Sequence, residues 1–228
     1  MPIKTPELVL LDLDGTLVDS IPDLANAVNK TLAEFSIKVR DINSIRSWVG
    51  NGVEKLLHRA ITNDIDGEAE SELYGKAYSF FMDTYRNNMC VESICYPGVR
   101  KGIDYLKDQN IKLGCVTNKS EQFVGPILEH LGLKNDMSII IGGDTLAKKK
   151  PDPLPLLHAA SVFEADPKQS LMIGDSVSDV KAARAADFQI VCVSYGYNHG
   201  KDIRETSPDA VVDSLAELPQ LFHGEAIR

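Results

Sequence analysis

The stretch LVLLDLDGTLVDS, residues Leu8–Ser20, decides the fold because an apolar run in it ends in two acids. Four apolar residues lead directly into Asp12, and Asp14 follows two positions later. Two carboxylates this close repel each other and resist burial, so a strand that only builds a core has little use for them. The pattern indicates a buried strand with functional residues at its carboxyl end.

Short apolar runs recur along the chain, and helical patterns separate most of them. The predicted strands are Leu8–Leu13, Ile111–Val116, Ser138–Ile141, Ser170–Ile173 and Ile190–Val193, with Ala210–Val212 as a candidate sixth. The predicted helices between them are Gly98–Asp108, Glu121–Leu131, Pro153–Phe163 and Val177–Ala186. Strands that alternate with helices of this length predict an α/β fold of the Rossmann-like type, with a parallel sheet covered on both faces.

The segment between the first and second strands interrupts this alternation, because it shows helical spacing and no convincing strand. Ser20 and Asp23 flank Pro22 as in a capping box, which predicts the start of a helix. Further helices are predicted over Asp41–Trp48, Val53–Ile61 and Glu68–Arg86. We therefore expect an α-helical cap domain at residues 18–92, inserted into a core domain made of residues 1–17 and 93–228.

Composition excludes several kinds of partner. The formal charge of −9 at pH 7 is opposite in sign to what a nucleic-acid or anionic-membrane surface needs, so we expect neither partner. No apolar segment approaches the roughly 20 residues of a membrane span, and the N-terminus makes a poor secretory signal. Cys115 and Cys192 lie inside apolar runs, as buried reduced thiols do. We expect a cytoplasmic protein that is a monomer or a homodimer.

Polar residues follow the predicted strands where each one ends. Beyond Asp12 and Asp14, they are Thr117 and Asn118 after the second strand, Lys150 beyond the third, and Asp175 and Asp179 after the fourth. Because ligands bind at the carboxyl ends of parallel strands, we expect these groups to converge. Clustered carboxylates repel unless a hard cation neutralises them, and their oxygen atoms suit Mg²⁺, while a lysine suits phosphate.

Each group also has a plainer interpretation. An Asp-Gly pair after a strand often forms a turn, and Thr117 and Asn118 can cap the helix that follows them. Consecutive lysines are often a solvated surface run, and Asp179 suits the first turn of a helix. The coincidence of these residues at four strand ends favours the catalytic interpretation.

Four segments in this order, DLDGTLVDS, VTNK, KKKPDP and GDSVSD, resemble the motifs of the haloacid dehalogenase superfamily of phosphohydrolases. The resemblance implies Mg²⁺-dependent hydrolysis of a small phosphate monoester through an aspartyl-phosphate. It makes Asp12 the nucleophile and a Mg²⁺ ligand. It makes Asp14 the general acid and base, which also binds Mg²⁺ through its backbone carbonyl.

The resemblance assigns roles to the remaining strand-end residues as well. Thr117 and Asn118 would hold the phosphoryl group, and Lys150 would screen charge between nucleophile and phosphate. Asp175 would complete the protein ligands of Mg²⁺, and Asp179 would act nearby, through water or through hydrogen bonds to the ligands.

Two further segments narrow the resemblance. WVGNGVEKLLHRAI in the cap and YGYNHG after the fifth strand are similar to bacterial phosphoglycolate phosphatases, which implies that 2-phosphoglycolate is converted to glycolate and phosphate. The turn Gly50-Asn51-Gly52 precedes a helical pattern, and free N–H groups at a helix start can bind an anion. We hypothesise that this turn receives the carboxylate of the substrate. The sequence assigns no role to Tyr195 or Tyr197.

Other functions agree with part of this pattern. They include a phosphatase of other small phosphate esters, a β-phosphoglucomutase-like phosphotransferase and a phosphonate hydrolase that uses Lys55 as a Schiff base. The mutases usually carry a Glu-Asp pair where this chain has Gly174-Asp175, which counts against them. A dehalogenase has no use for an acid–base carboxyl at Asp14. A signalling receiver domain also accepts phosphate on aspartate, but it is much shorter and lacks a helical insert.

Overall fold

A computed structural model describes residues 3–223 and shows an α/β fold, as predicted. Its six-stranded sheet is parallel, with strand order β5–β4–β1–β6–β7–β8, and β2 and β3 pair separately as a short antiparallel ribbon. The strands are β1 (Leu8–Leu11), β2 (Val18–Asp19), β3 (Ile94–Cys95), β4 (Lys112–Val116), β5 (Ile139–Ile141), β6 (Ser170–Gly174), β7 (Gln189–Val193) and β8 (Ala210–Val212).

Helices connect the strands and cover the sheet. They are α1 (Ile21–Glu34), α2 (Ile42–Trp48), α3 (Val53–Thr62), α4 (Ser71–Arg86), α5 (Val99–Asp108), α6 (Glu121–His130), α7 (Leu154–Phe163), α8 (Val177–Ala185) and α9 (Leu218–His223). Side chains of β1 alternate between two apolar clusters, because successive residues of a strand point to opposite faces. Val9 and Leu11 join the cluster that contains α5 and α6, and Leu8 and Leu10 join the one that contains α7 and α8.

The central position of β1 places its carboxyl end in the middle of the sheet. β1 pairs with β4 on one side, where Leu11 lies opposite Cys115, and with β6 on the other, where it lies opposite Ile173. The predicted strands are confirmed, including the candidate sixth, although β1 ends two residues earlier than predicted. The reason is that the N–H of Leu13 donates to the Asp12 carboxylate at 2.7 Å, so the chain turns away from the sheet there.

Between β2 and β3 lie the predicted helices α1 to α4, which bury apolar side chains such as Trp48 and Phe81. The capping box at the start of α1 is wrong, because Ser20 makes no side-chain cap. Its hydroxyl donates to Asp14 at 2.6 Å instead. Asp23 accepts hydrogen bonds from the backbone N–H groups of residues 91–93, which joins the start and the end of the inserted segment. The exact division into cap and core stays a prediction.

Two expectations about the whole chain can be compared with residues 3–223. No helix in that range is both long enough and apolar enough to cross a bilayer. All four cysteines are free thiols, and Cys115 and Cys192 are buried as predicted.

Candidate active site

The predicted strand-end residues meet around the buried side chain of Lys150. Its ammonium donates to the Val116 carbonyl at 2.7 Å and to Asp179 at 2.7 Å, and it lies 3.1 Å from an oxygen of Asp12. Burial opposes the charge of Lys150, but the two carboxylates outweigh burial and hold its pKa above the ordinary value. Lys150 therefore stays cationic between the end of β1 and the start of α8.

Asp175, directly after β6, is the second carboxylate beside Asp12. It accepts a hydrogen bond from the Thr16 hydroxyl at 3.2 Å and one from the backbone N–H of Tyr197 at 2.7 Å. Gly15 and Gly196 allow this packing, because a Cβ at either position would lie within 2.4 Å of an Asp175 side-chain atom. Gly15 also has φ +86°, a conformation that favours glycine.

Asp179 lies beside these two carboxylates, and both of its carboxylate oxygens accept hydrogen bonds from the protein. One oxygen accepts from Lys150, and the other accepts from the backbone N–H and the hydroxyl of Ser176 at 3.0 and 2.7 Å. Asp179 is fully buried. Because both oxygens have protein donors, Asp179 is arranged to orient the site through Lys150 and the loop after β6.

The donor atoms of this cluster fit a hard divalent cation. Oxygen atoms of Asp12, Asp175 and Asp179 lie within 4.8 Å of one another. Burial and the Asp179 charge raise the pKa of Asp12 to about 6 against the opposing effect of Lys150. Burial and the neighbouring carboxylates also raise the pKa of Asp175 well above its ordinary value. Lys150 alone thus leaves negative charge uncompensated, which is the situation that Mg²⁺ bound by oxygen ligands relieves.

The hydrogen-bond and ion-pair partners of Asp14 differ from those of Asp12. Its carboxylate accepts from the Ser20 hydroxyl, and both of its oxygens lie 3.1 Å from the ammonium of Lys119. The Lys119 ammonium also lies over the ring of Tyr85, 4.8 Å from the centroid. Burial opposes the charge of Lys119, but Asp14 and Tyr85 together outweigh burial, so the pKa of Lys119 lies above its ordinary value. Asp14 is therefore outside the three-acid cluster and faces a second cation.

Thr117 and Asn118 continue β4 into the cleft. The Thr117 hydroxyl accepts from the backbone N–H of Lys119 at 3.2 Å, which fixes the loop. The amide of Asn118 donates to the carbonyl of Lys150 at 2.9 Å and to that of Gly50 at 3.0 Å. Its carbonyl oxygen is buried and has no hydrogen-bond partner within residues 3–223. Asn118 thus connects the inserted segment with the loop before α7 and retains an unused acceptor.

A cleft between the strand ends and the inserted helices contains Asp12 and Asp14. Its empty space, which is partly open to solvent, is about 540 Å³. Most of its walls are apolar or aromatic, and these residues come mainly from the inserted helices: Leu24, Val49, Val53, Leu56, Phe81, Tyr85 and Phe123. Gly50 and Gly52 of the predicted anion-binding turn also line it. Apolar walls around a few polar groups are typical of sites that bind small molecules.

The sequence analysis missed several residues of this arrangement. Lys119 follows Thr117 and Asn118 directly, so the strand-end pattern that identified them extends to it. Tyr197 links the loop after β7 to the inserted segment, since its hydroxyl accepts from Ser20 N–H at 3.0 Å and donates to Asp19 at 2.9 Å. Tyr195 donates to the carbonyl of Thr16 at 2.9 Å. The two tyrosines therefore fasten the loops around Asp175.

Known proteins match the chain over nearly its whole length. Residues 9–193 match the family described as haloacid dehalogenase-like hydrolase. The chain belongs to this family, which confirms the superfamily and the hydrolase class predicted from the four motifs.

Individual relatives show which members of this family the chain is similar to. The chain is 52% identical over 220 residues to the phosphoglycolate phosphatase of Nitrosococcus oceani, which covers 96% of this chain and 98% of that protein. It is 45% identical over 222 residues to the phosphoglycolate phosphatase of Nitrosospira multiformis, with 97% and 96% covered. A crystal structure described as a predicted phosphoglycolate phosphatase from Haemophilus somnus has a TM-score of 0.89 at 32% identity, with 96% and 99% covered. The predicted resemblance to phosphoglycolate phosphatases is confirmed.

Proposed function

We propose that the protein is a Mg²⁺-dependent phosphatase that hydrolyses 2-phosphoglycolate to glycolate and phosphate through an aspartyl-phosphate. The observation that carries this proposal is the buried group of Asp12, Asp175 and Asp179, whose oxygens lie within 4.8 Å of one another beside Lys150. The names of the relatives supply the substrate.

The chemistry of the proposal begins at Asp12. A carboxylate oxygen of Asp12 attacks phosphorus, the bond from phosphorus to the ester oxygen breaks, and the acid Asp14 gives that oxygen a proton. Asp14 then takes a proton from water as the water attacks the aspartyl-phosphate, which releases phosphate and restores Asp12. Lys150 lies between Asp12 and Asp179 and lowers the charge that the approaching phosphate meets.

The remaining polar residues position the phosphoryl group and the cation. The Thr117 hydroxyl would donate to a phosphoryl oxygen at the end of β4. Asn118, whose side-chain amide donates to the Lys150 and Gly50 carbonyls, would donate through its backbone N–H. Asp12, Asp175 and the backbone carbonyl of Asp14 would hold Mg²⁺, with Asp179 behind them. When bound, Mg²⁺ supplies positive charge that neutralises the carboxylates and stabilises charge on the phosphoryl oxygens. The inserted helices of residues 18–92 would act as the cap that excludes water and contacts the rest of the substrate.

A phosphotransferase of the β-phosphoglucomutase kind is less consistent with the structure. A glutamate before Asp175 needs room at position 174, where a Cβ would lie 2.3 Å from Cγ of Asp179. With its present packing, the chain therefore accepts only glycine at position 174.

The test is a screen of purified protein against small phosphate esters, with Mg²⁺ and with EDTA. We expect phosphate release from 2-phosphoglycolate that needs Mg²⁺, and loss of at least about 10⁴-fold in kcat for Asp12→Asn, because the nucleophile is removed. Asp108→Asn removes an exposed carboxylate of α5 and serves as the matched control. Phosphate release by folded Asp12→Asn at the parental rate, or full activity in EDTA, would refute the proposal.

A further inference from the structure

The cleft has a cationic group at the side away from the three-acid cluster. Lys119 is 8% exposed, and its ammonium contacts both oxygens of Asp14 and the face of Tyr85. Among the described residues that line the cleft, Lys119 is the one basic side chain. Lys150 lies deeper, where Asp12 and Asp179 take up its charge. Lys119 therefore places a positive charge in the cleft to which the proposed chemistry assigns no role.

A second observation at the same place points to a missing ligand. Tyr85, in α4, is 1% exposed and lines the cleft. Its hydroxyl makes no hydrogen bond of ordinary geometry within residues 3–223. A buried hydroxyl without a partner is unfavourable, so it is best explained where a bound molecule supplies an acceptor. Burial raises the pKa of Tyr85 to about 12, so the hydroxyl keeps its proton and can act as a donor at neutral pH.

We propose that the Lys119 ammonium and the Tyr85 hydroxyl form a subsite for the carboxylate of the substrate. The inference rests on the proposed function, since it takes the phosphoryl group to lie at Asp12. Lys119 reaches Asp14, which is two residues from Asp12 along the same loop, so the two anion sites are close enough for a carboxylate joined to the phosphate ester by one carbon. Around them the apolar walls strengthen an ion pair and hold a short linker.

The turn Gly50-Asn51-Gly52 is the competing place for the same carboxylate. It lines the cleft through Gly50 and Gly52, and its helix start offers N–H groups. Those groups carry only partial charges, whereas Lys119 carries a full charge, for which the substrate carboxylate would compete with Asp14. The structure therefore favours Lys119 as the selective group.

The experiment compares two esters that differ only at the subsite. In 2-phosphoglycolate a carboxylate occupies it, and in ethyl phosphate a methyl group does. Lys119→Met is expected to lower kcat/KM for both esters by a shared factor, because Lys119 also contacts Asp14. For 2-phosphoglycolate we expect a further loss of about 100-fold, because a buried ion pair is removed. Lys148→Met, an exposed lysine, is the matched control and should leave both values unchanged.

Tyr85→Phe tests the same subsite with less risk to folding. It removes a hydroxyl that makes no hydrogen bond of ordinary geometry with the described residues, so the variant should be about as stable as the parent. We expect its KM for 2-phosphoglycolate to rise about 10-fold while its KM for ethyl phosphate stays the same. If Lys119→Met does not fold, this variant carries the test alone.

The outcomes separate the subsite from the proposed function. Equal losses for both esters in Lys119→Met, together with an unchanged KM in Tyr85→Phe, would overturn the subsite and leave the phosphatase standing. Selective loss of 2-phosphoglycolate in Gly50→Ala but not in Lys119→Met would also overturn it in favour of the turn. A parent protein inactive on both esters would overturn the proposed function and the subsite together.

Discussion

Replacing Lys150 by methionine removes the one ammonium that holds two buried carboxylates together. The Lys150 side chain is 1% exposed, and its partner Asp179 is 0% exposed. Methionine is similar in length and keeps the stem packed, so the change isolates the charge and its hydrogen bonds. The variant leaves Asp12 and Asp179 without their cation, and it leaves the Val116 carbonyl without its donor.

The expected loss of stability is large. Breaking a buried ion pair on one side costs about 3–5 kcal/mol, because the remaining charge is uncompensated. That is a fifth or more of the roughly 5–15 kcal/mol of a typical protein. Lys149→Met is the matched control. Lys149 is next to Lys150 in the chain, its side chain is 35% exposed, and its ammonium lies 3.5 Å from Glu54. An exposed pair of that kind contributes about 0–1 kcal/mol.

The loss should also depend on pH in a defined direction. Burial raises the pKa of Asp12 and Lys150 opposes this, so the folded variant has an Asp12 pKa higher still. Between the unfolded pKa and the raised folded pKa, the folded state binds more protons than the unfolded state. The variant therefore loses stability as pH rises through that window and recovers part of it as pH falls.

Urea unfolding followed by circular dichroism, in EDTA so that no cation substitutes for the ammonium, measures both effects. We expect Lys150→Met to unfold at clearly lower urea than the parent at pH 7 and to approach it at pH 5. A loss below about 1 kcal/mol at pH 7, or an equal loss in Lys149→Met, would show that the reasoning about the buried charges is wrong.

Three further substitutions test the packing and ion pairs that the structure shows. Asp136 accepts from Arg100 at 2.6 Å, and although burial alone would raise the pKa of Asp136, its cationic partners lower it. Its contribution is therefore present above the unfolded pKa and lost as pH falls, so Asp136→Asn should cost about 1 kcal/mol at pH 7 and progressively less from pH 5 towards pH 3 in urea unfolding. Gly15→Ala adds strain at φ +86° and a Cβ 2.4 Å from Asp175, so phosphatase assays should show a loss of about 100-fold or more. Gly75→Ala, in open space on α4, should gain about 0.5–1 kcal/mol by comparison, and the reverse order would contradict this account.

The sequence predicted the sheet well for a physical reason. Strands buried on both faces are continuous apolar runs, and polar residues mark where they leave the sheet. The two-residue strands β2 and β3 were missed because so short a segment has no periodicity. Ser20 was placed in a capping box, whereas the structure shows that it donates to Asp14. That contact depends on how the chain turns after β1, which local preferences do not determine.

The candidate site was predictable only where it follows the strands. Lys150 and Asp175 come directly from that pattern, and the structure brings them within reach of Asp12. The pair between Lys119 and Asp14 joins residues far apart in the chain, and the sequence offers no measure of that distance. Tyr85 belongs to a helix whose apolar spacing predicts burial of its ring. The spacing does not predict that its hydroxyl lies at the cleft without a hydrogen-bond partner among the described residues.

The middle position of β1 has a consequence for biosynthesis. Leu8 pairs with Ser170 on one side and with Lys112 on the other, although it emerges from the ribosome long before either. One edge of its apolar run must therefore stay unpaired until β6 has been made, while the inserted helices, whose contacts are local, can form earlier. The nascent protein can thus aggregate through the segment that carries Asp12. It can assemble a complete site only once its last third is being translated.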